Sequence, residues 1–121
     1  MKKDAKNTIT HNRGDKGAIR LVNKNGMFKK DDKFTFSIVK KGNYADVVFQ
    51  KTFVVDEDCE IFYLTFTNEE MRFGDVISVR TTYYYEIDRN DDTTVIGHDE
   101  NGDKLFILYP EAAKKKEEGD V

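Results

Sequence analysis

The sequence has 121 residues, 38% of them hydrophobic, with one cysteine and a formal net charge of −3. That length suits one domain that buries about two-thirds of its unfolded surface, so a core can form without a disulfide. The lone Cys59 excludes an intramolecular disulfide and argues against a disulfide-stapled secreted module, fitting synthesis in a reducing cytosol. No stretch approaches the roughly 18 apolar residues of a membrane span, and no apolar run follows the basic start as a signal peptide requires.

Residues 1–6 are polar and read as a disordered tail. Residues 7–11 read as a first short strand, and Asn12 to Lys16 as a turn. Residues 17–22 alternate as a second strand. Asn25-Gly26 is a tight-turn signal, because that pair readily takes positive φ. Met27 and Phe28 are expected to tuck under the charged connection that follows. Residues 33–40 alternate cleanly, with Phe34, Phe36 and Ile38 on one face, as a central strand does. After a turn at 41–44, residues 46–55 form a longer strand. Residues 60–66 are apolar on both faces, as in a strand covered on both sides. Thr67 with Glu70 three residues on resembles a capping box opening one helical turn.

The most informative stretch runs from Gly74 to Asp88. Ile77, Val79, Thr81, Tyr83, Tyr85 and Ile87 share one face at period two; Ser78, Arg80, Thr82, Tyr84 and Glu86 share the other. This predicts one long, half-buried antiparallel strand. Residues 93–97 and 104–109 are expected to pair as a hairpin across the Asn101-Gly102 turn. Residues 113–121 form a charged tail expected to be disordered. About seven or eight strands at this spacing make an all-β sandwich or barrel. The expected core is Phe34, Phe36, Ile38, Phe49 and Phe53, joined by Tyr83, Tyr85, Ile87, Phe106 and Leu108.

The charge is unevenly spread. Residues 1–41 hold 12 Lys/Arg against 4 Asp, a net of +8, whereas residues 42–121 hold 8 Lys/Arg against 19 Asp/Glu, a net of −11. Strands from the two halves can interleave and compensate. Alternatively, one basic and one acidic end suit assembly with a neighbouring copy or another subunit. The acidic total and the lack of a basic motif interleaved with aromatics argue against nucleic acid.

Candidate chemistry is sparse. His11 and His98 lie far apart with no ligand spacing. Cys59 is set among carboxylates that disfavour its thiolate, so it reads as a packed, inert thiol. Asp88-x-Asn90-x-Asp92 and Asp99-x-Asn101-x-Asp103 have the opening spacing of calcium loops, but neither has both the glycine and the glutamate of the full motif, and Asp and Asn also dominate ordinary turns. Arg13-Gly14-Asp15 is too short to carry an adhesion reading. No catalytic, cofactor-binding or metal-ligating set is expected, and the protein reads as no enzyme. Tyr84, beside Arg80, Thr82 and Glu86 on the polar face, is the candidate interface, since Tyr and Arg are favoured at interface centres. A carbohydrate platform is the alternative, although Tyr83 and Tyr85 turn to the core face and leave Tyr84 alone.

Taken in order, residues 7–15, 28–41, 48–53, 67–74, 83–87 and 106–112 resemble the N-terminal domain family of siphophage baseplate upper proteins, tail proteins of phages and prophages of Gram-positive bacteria. The matching segments are the first strand with its Arg-Gly-Asp-like turn, the charged turn with its alternating basic-ended strand, Val48-Phe-Gln-Lys-Thr-Phe53, the Thr67–Gly74 turn, Tyr83-Tyr-Tyr-Glu-Ile87, and the closing strand into Pro110-Glu-Ala112. The resemblance covers residues 7–112. It implies an immunoglobulin-like antiparallel β-sandwich, no catalysis, no cofactor, and a structural role in the virion tail or baseplate. Partners would be other tail proteins or further copies of the chain, with no nucleic acid and no membrane. The residue-based alternative is a small carbohydrate-binding β-sandwich module.

Overall fold

The computed structural model describes residues 1–75 and 77–111 and is nearly all β. Nine strands occur among the described residues: β1 (Lys2–Lys3), β2 (Ile9–Asn12), β3 (Gly17–Val22), β4 (Lys33–Lys40), β5 (Asn43–Val54), β6 (Ile61–Phe66), β7 (Thr81–Arg89), β8 (Thr93–Ile96) and β9 (Leu105–Tyr109). Seven of them form one sheet in the order β1-β2-β9-β7-β4-β5, with β8 also on β7; β3 and β6 form a separate antiparallel pair. Neither sheet closes on itself. Inward side chains of the two sheets meet in an aromatic core. Phe36 of β4 lies at its centre, 5.0 to 6.4 Å from the rings of Phe49, Phe66, Tyr85 and Phe106. Such pairs add roughly 0.5–1.5 kcal/mol each beyond the area they bury.

The alternating residues behave as their period requires. Phe34, Phe36, Ile38, Tyr85, Ile87, Phe106 and Leu108 are all fully buried, while Phe49, Phe53 and Tyr83 pack partly buried against the same core. The small sheet adds Ile19 and Leu21 from β3 and Leu64 and Phe66 from β6. Tyr85 is an entirely buried residue whose hydroxyl donates to the carbonyl of Asn7, which satisfies its one polar atom. Thr67 and Glu70 form the reciprocal capping box. Glu70 N–H donates to Thr67 Oγ1 (3.1 Å) and Thr67 N–H to Glu70 Oε1 (2.8 Å), opening the 3-10 turn Glu70–Arg72.

Six expectations are corrected. β7 begins at Thr81, not at Gly74; Val79 is 70% exposed. The alternation runs further back than the ladder, because β7's flanking partners stop at Lys40↔Tyr83 and Leu108↔Thr81. β8 and β9 do not pair with each other. Both lie against the same edge of β7, β9 along Thr81–Tyr84 and β8 along Ile87–Arg89, and the connection between them loops out. The sheet is not wholly antiparallel: β2 and β9 run parallel, from Ile9↔Phe106 to Asn12↔Tyr109. These are nearly the first and last strands, so the intervening chain supplies the crossover that a parallel pair needs. β6 is covered on one face alone, leaving Ile61 and Tyr63 exposed on the other. Residues 1–6 are in part a strand, with Lys3 opposite Ile9 in β2. The expected 113–121 tail lies outside the described residues. Met27 is exposed, but Phe28 tucks in as expected, edge-on to Phe34 at 5.3 Å.

The layers meet along two flanks. On one, β5 of the large sheet faces β6. Lys51 points inward there, its Nζ donating to the Thr65 carbonyl (2.9 Å) and to Glu70 Oε1 (2.8 Å) while lying 4.9 Å from the Phe53 ring centre. On the other, β3 faces β1 and β8 across a groove of about 750 Å³.

Candidate interaction face

On β7, Tyr85 and Ile87 point to the core, so Thr82, Tyr84, Glu86 and Asp88 line the outer face of the large sheet. Across the ladder Tyr84 stands opposite Val39 of β4 and Leu105 of β9, Glu86 opposite Ser37, and Thr82 opposite Ile107. Thr82, Tyr84 and Glu86 are therefore brought together, each half-buried. Arg80 is exposed one residue before β7 and stands outside the ladder.

The structure adds a residue that the sequence pattern assigns to a turn. Tyr44 of β5 reaches across β4, and its ring lies 5.5 Å from that of Tyr84, tilted by 33°. Since β4 separates β5 from β7, the two rings lie over it, and Val39, outward-facing at that level, is only 2% exposed. The register slips between β4 and β5 at Ile38/Val39 and again at Val39/Lys40. Such bulges re-aim side chains and break the period-two count, which is why no alternation marks Tyr44.

The pair is anchored from the connection between β8 and β9. Tyr44 donates to Asp103 Oδ1 at 2.5 Å, and His98 Nδ1 lies 2.9 Å from the same oxygen. These hydrogen bonds, Tyr44's first and His98's second, hold the Asp103 carboxyl below its usual range. Burial, then the bond to Asp103, pushes the Tyr44 hydroxyl up. Beside the rings, Glu86 is raised above the usual carboxylate range, chiefly by burial and then by the charge of Asp88 and its hydrogen bond. Gly97 packs beside it: a Cβ there would stand 3.4 Å from the Glu86 Cβ and 2.7 Å from Thr94 Cγ2. Gln50 Nε2 donates to Ser37 Oγ at 2.9 Å, closing the β5 side of the face. Chemically the face offers two ring surfaces held in place by a carboxylate, with hydroxyl, amide and carboxyl groups around them.

The other sequence candidates lie elsewhere. Arg13 is buried, its guanidinium donating to the Arg72 carbonyl at 2.7 Å and paired with Glu111, so the Arg-Gly-Asp turn does not present its arginine. Gly14 in that turn has φ +84°, where a side chain would be strained, and a Cβ there would push on Glu111 Oε1 at 2.6 Å. His11 is buried, with Nε2 2.7 Å from the Asp15 carbonyl, and burial lowers its pKa. Cys59 exchanges backbone hydrogen bonds with Phe28; burial first, then Asp56, Glu57 and Asp58, pushes its thiol up. In the calcium-like spacings, Asn90 is bonded to Lys33 and Asp32, and Asp99 to Lys104 and Asn101, as turn residues are. No group of three or more His, Cys, Asp or Glu side chains placed to hold a metal occurs among the described residues.

The two charge halves interleave. Lys29 pairs with Asp58, Lys33 with Asp91, and Arg89 with Asp32. Arg20 and Lys24, on and just after β3, have no ion-pair partner among the described residues. Compared with known proteins, the chain matches no family model, no curated protein and no solved structure.

Proposed function

We propose that this chain is a non-catalytic, protein-binding component of a phage or prophage tail or baseplate, built as an immunoglobulin-like β-sandwich. The observation that carries the protein-binding reading is the Tyr44–Tyr84 pair on the outer face of the large sheet, fixed by Asp103. Paired aromatics with a polar surround are the make-up of an interface centre, and rings already held in place lose little entropy on binding. The tail setting rests on the ordered series of segments between residues 7 and 112. The partner is then a neighbouring tail or baseplate protein or a second copy of the chain, and the place of action is the virion. Sedimentation of the protein alone and with tail proteins encoded beside it, across ionic strength, tests the reading. Association that Tyr84→Ala and Tyr44→Ala weaken supports it. A monomer under all conditions with no tail partner overturns it.

A carbohydrate-binding module is the second reading, favoured by one observation. Tyr84 is not alone: Tyr44 extends it into a two-ring platform flanked by Asp103 and Glu86. Glycan-array binding by the free monomer, lost in Tyr44→Ala, would favour this reading over the first.

A further inference from the structure

The second flank carries a different surface. β3 pairs with β6 alone, so its other edge has no strand partner among the described residues. Asn23 N–H bonds to the Glu60 carbonyl, which sets the alternation of the β3–β6 ladder. Residues 17, 19 and 21 then bond to β6, and the N–H and C=O groups of Ala18, Arg20 and Val22 turn to the free edge. No other backbone or side-chain group bonds to these three residues among the described ones. This edge forms one wall of the groove of about 750 Å³.

Opposite it stand Met1 and Lys3 from the first strand region and Val95 and Ile96 from β8, with Phe28 and Arg89 also lining the groove. No carboxylate lines it, and Arg20, Lys24 and Lys3 have no ion-pair partner there; Lys3 donates only to Asn7 Oδ1. Next to the groove, the outer face of the small sheet is bare. Val22 is 44%, Ile61 38% and Tyr63 52% exposed. An unpaired edge that is long enough for several bonds and flanked by apolar surface invites an added strand, and natural proteins usually block such edges. Of the blocking devices β3 lacks proline, a bulge and an inward charge, and its one charged side chain, Arg20, is exposed on the outward face.

We propose that the β3 edge is a docking site for an extended segment of a partner protein that alternates apolar and acidic side chains. The segment adds as a strand beside β3. Its backbone pairs with Ala18, Arg20 and Val22, and one set of side chains enters the groove against Ile96 and Phe28. The carboxylates of the other set meet Arg20 and Lys24. The charge of the groove chooses this occupant over a basic or neutral strand, because unpaired cations without a neighbouring carboxylate attract acidic side chains and repel basic ones. This surface is separate from the tyrosine face, and its test does not depend on that face.

The test uses the full chain and a labelled octapeptide alternating valine and glutamate. Three measurements are made: anisotropy for affinity, amide chemical shifts for location, and hydrogen exchange of the free protein. Binding should perturb the amides of β3 and of Ile96, and should weaken about tenfold in Arg20→Glu and again at high salt. Tyr84→Ala should leave it unchanged. The valine–lysine peptide and a peptide N-methylated on alternate residues should not bind. Failure of the valine–glutamate peptide to bind overturns the proposal, as does equal binding of either control. Slow exchange of Ala18, Arg20 and Val22 in the free chain also overturns it, since the edge would then be occupied by a second copy or by residues 112–121.

Discussion

The two flanks of the molecule solve the same problem in opposite ways. Each is a gap between the edge of the two-stranded sheet and the edge of the large one. At the β5–β6 flank an inward lysine closes the gap: Lys51 reaches the Thr65 carbonyl and Glu70, and its ammonium lies over the Phe53 and Phe66 rings. The same Glu70 completes the capping box with Thr67, so the 3-10 turn is fastened to the flank. At the β3 flank Met1 and His11 come up against Gly17, but among the described residues no side chain bonds across to residues 18–22, and a groove remains. An inward charge on an edge strand is a known guard against unwanted pairing. Its presence on one flank and absence on the other distinguishes a protected edge from an available one.

Both flanks depend on the core they share. Phe36 is fully buried and touches rings from β5 and β6 as well as from β7 and β9. Phe36→Ala should cost about 3–5 kcal/mol, seen as a lowered denaturant midpoint. A cost below about 1 kcal/mol would mean that the two layers are not packed as described.

Lys51→Ala acts on the closed flank alone. It leaves Glu70 and the Thr65 carbonyl without their partner in a setting where both charged side chains are just under one-third exposed. The expected loss is about 1–2 kcal/mol, solvent screening included. Faster amide exchange at Thr67 and Glu70 should accompany it, while Ala18, Arg20 and Val22 exchange as before. Equal change on both flanks would show that the flanks are not independent.

His11 lies on the β3 side, its ring 3.4 Å from where a Cβ on Gly17 would stand. Burial lowers its pKa below the ordinary 6.5, so the folded protein holds the ring neutral. The unfolded chain then binds more protons below pH 6.5, and stability contributed by His11 is present above that pH and lost as pH falls through the folded pKa. Melting temperature should therefore drop between neutral and mildly acidic pH, and His11→Gln should flatten that part of the profile. An unchanged profile in the variant would remove His11 as the cause.

The smallest effect is expected at Val79. At 70% exposure Val79→Ser should shift stability by no more than about 0.5 kcal/mol. A larger cost in thermal melts would restore the longer β7 that the alternation alone suggests.

Local pattern determined a good deal by itself. The alternation of residues 17–22 and 33–40 gave β3 and β4 their bounds, and the second half of the tyrosine stretch placed Tyr85 and Ile87 inward. The Thr67–Glu70 pair announced its capping box, because every atom that forms it lies within four residues. Of the candidate site, Thr82, Tyr84 and Glu86 were legible as one polar face, since side-chain direction along a strand depends only on parity. Partner choice was not legible. The parallel pairing of β2 with β9, the sharing of one β7 edge by β8 and β9, the bare outer face of β6 and the start of β7 all depend on which distant strand lies alongside. Tyr44 joined Tyr84 only through the register slips opposite Val39, and the unguarded β3 edge became visible only once its neighbours were known. Periodicity is a property of one strand, whereas coverage, register and edges belong to pairs of strands, and their energy is set by contacts that close only when the layers assemble.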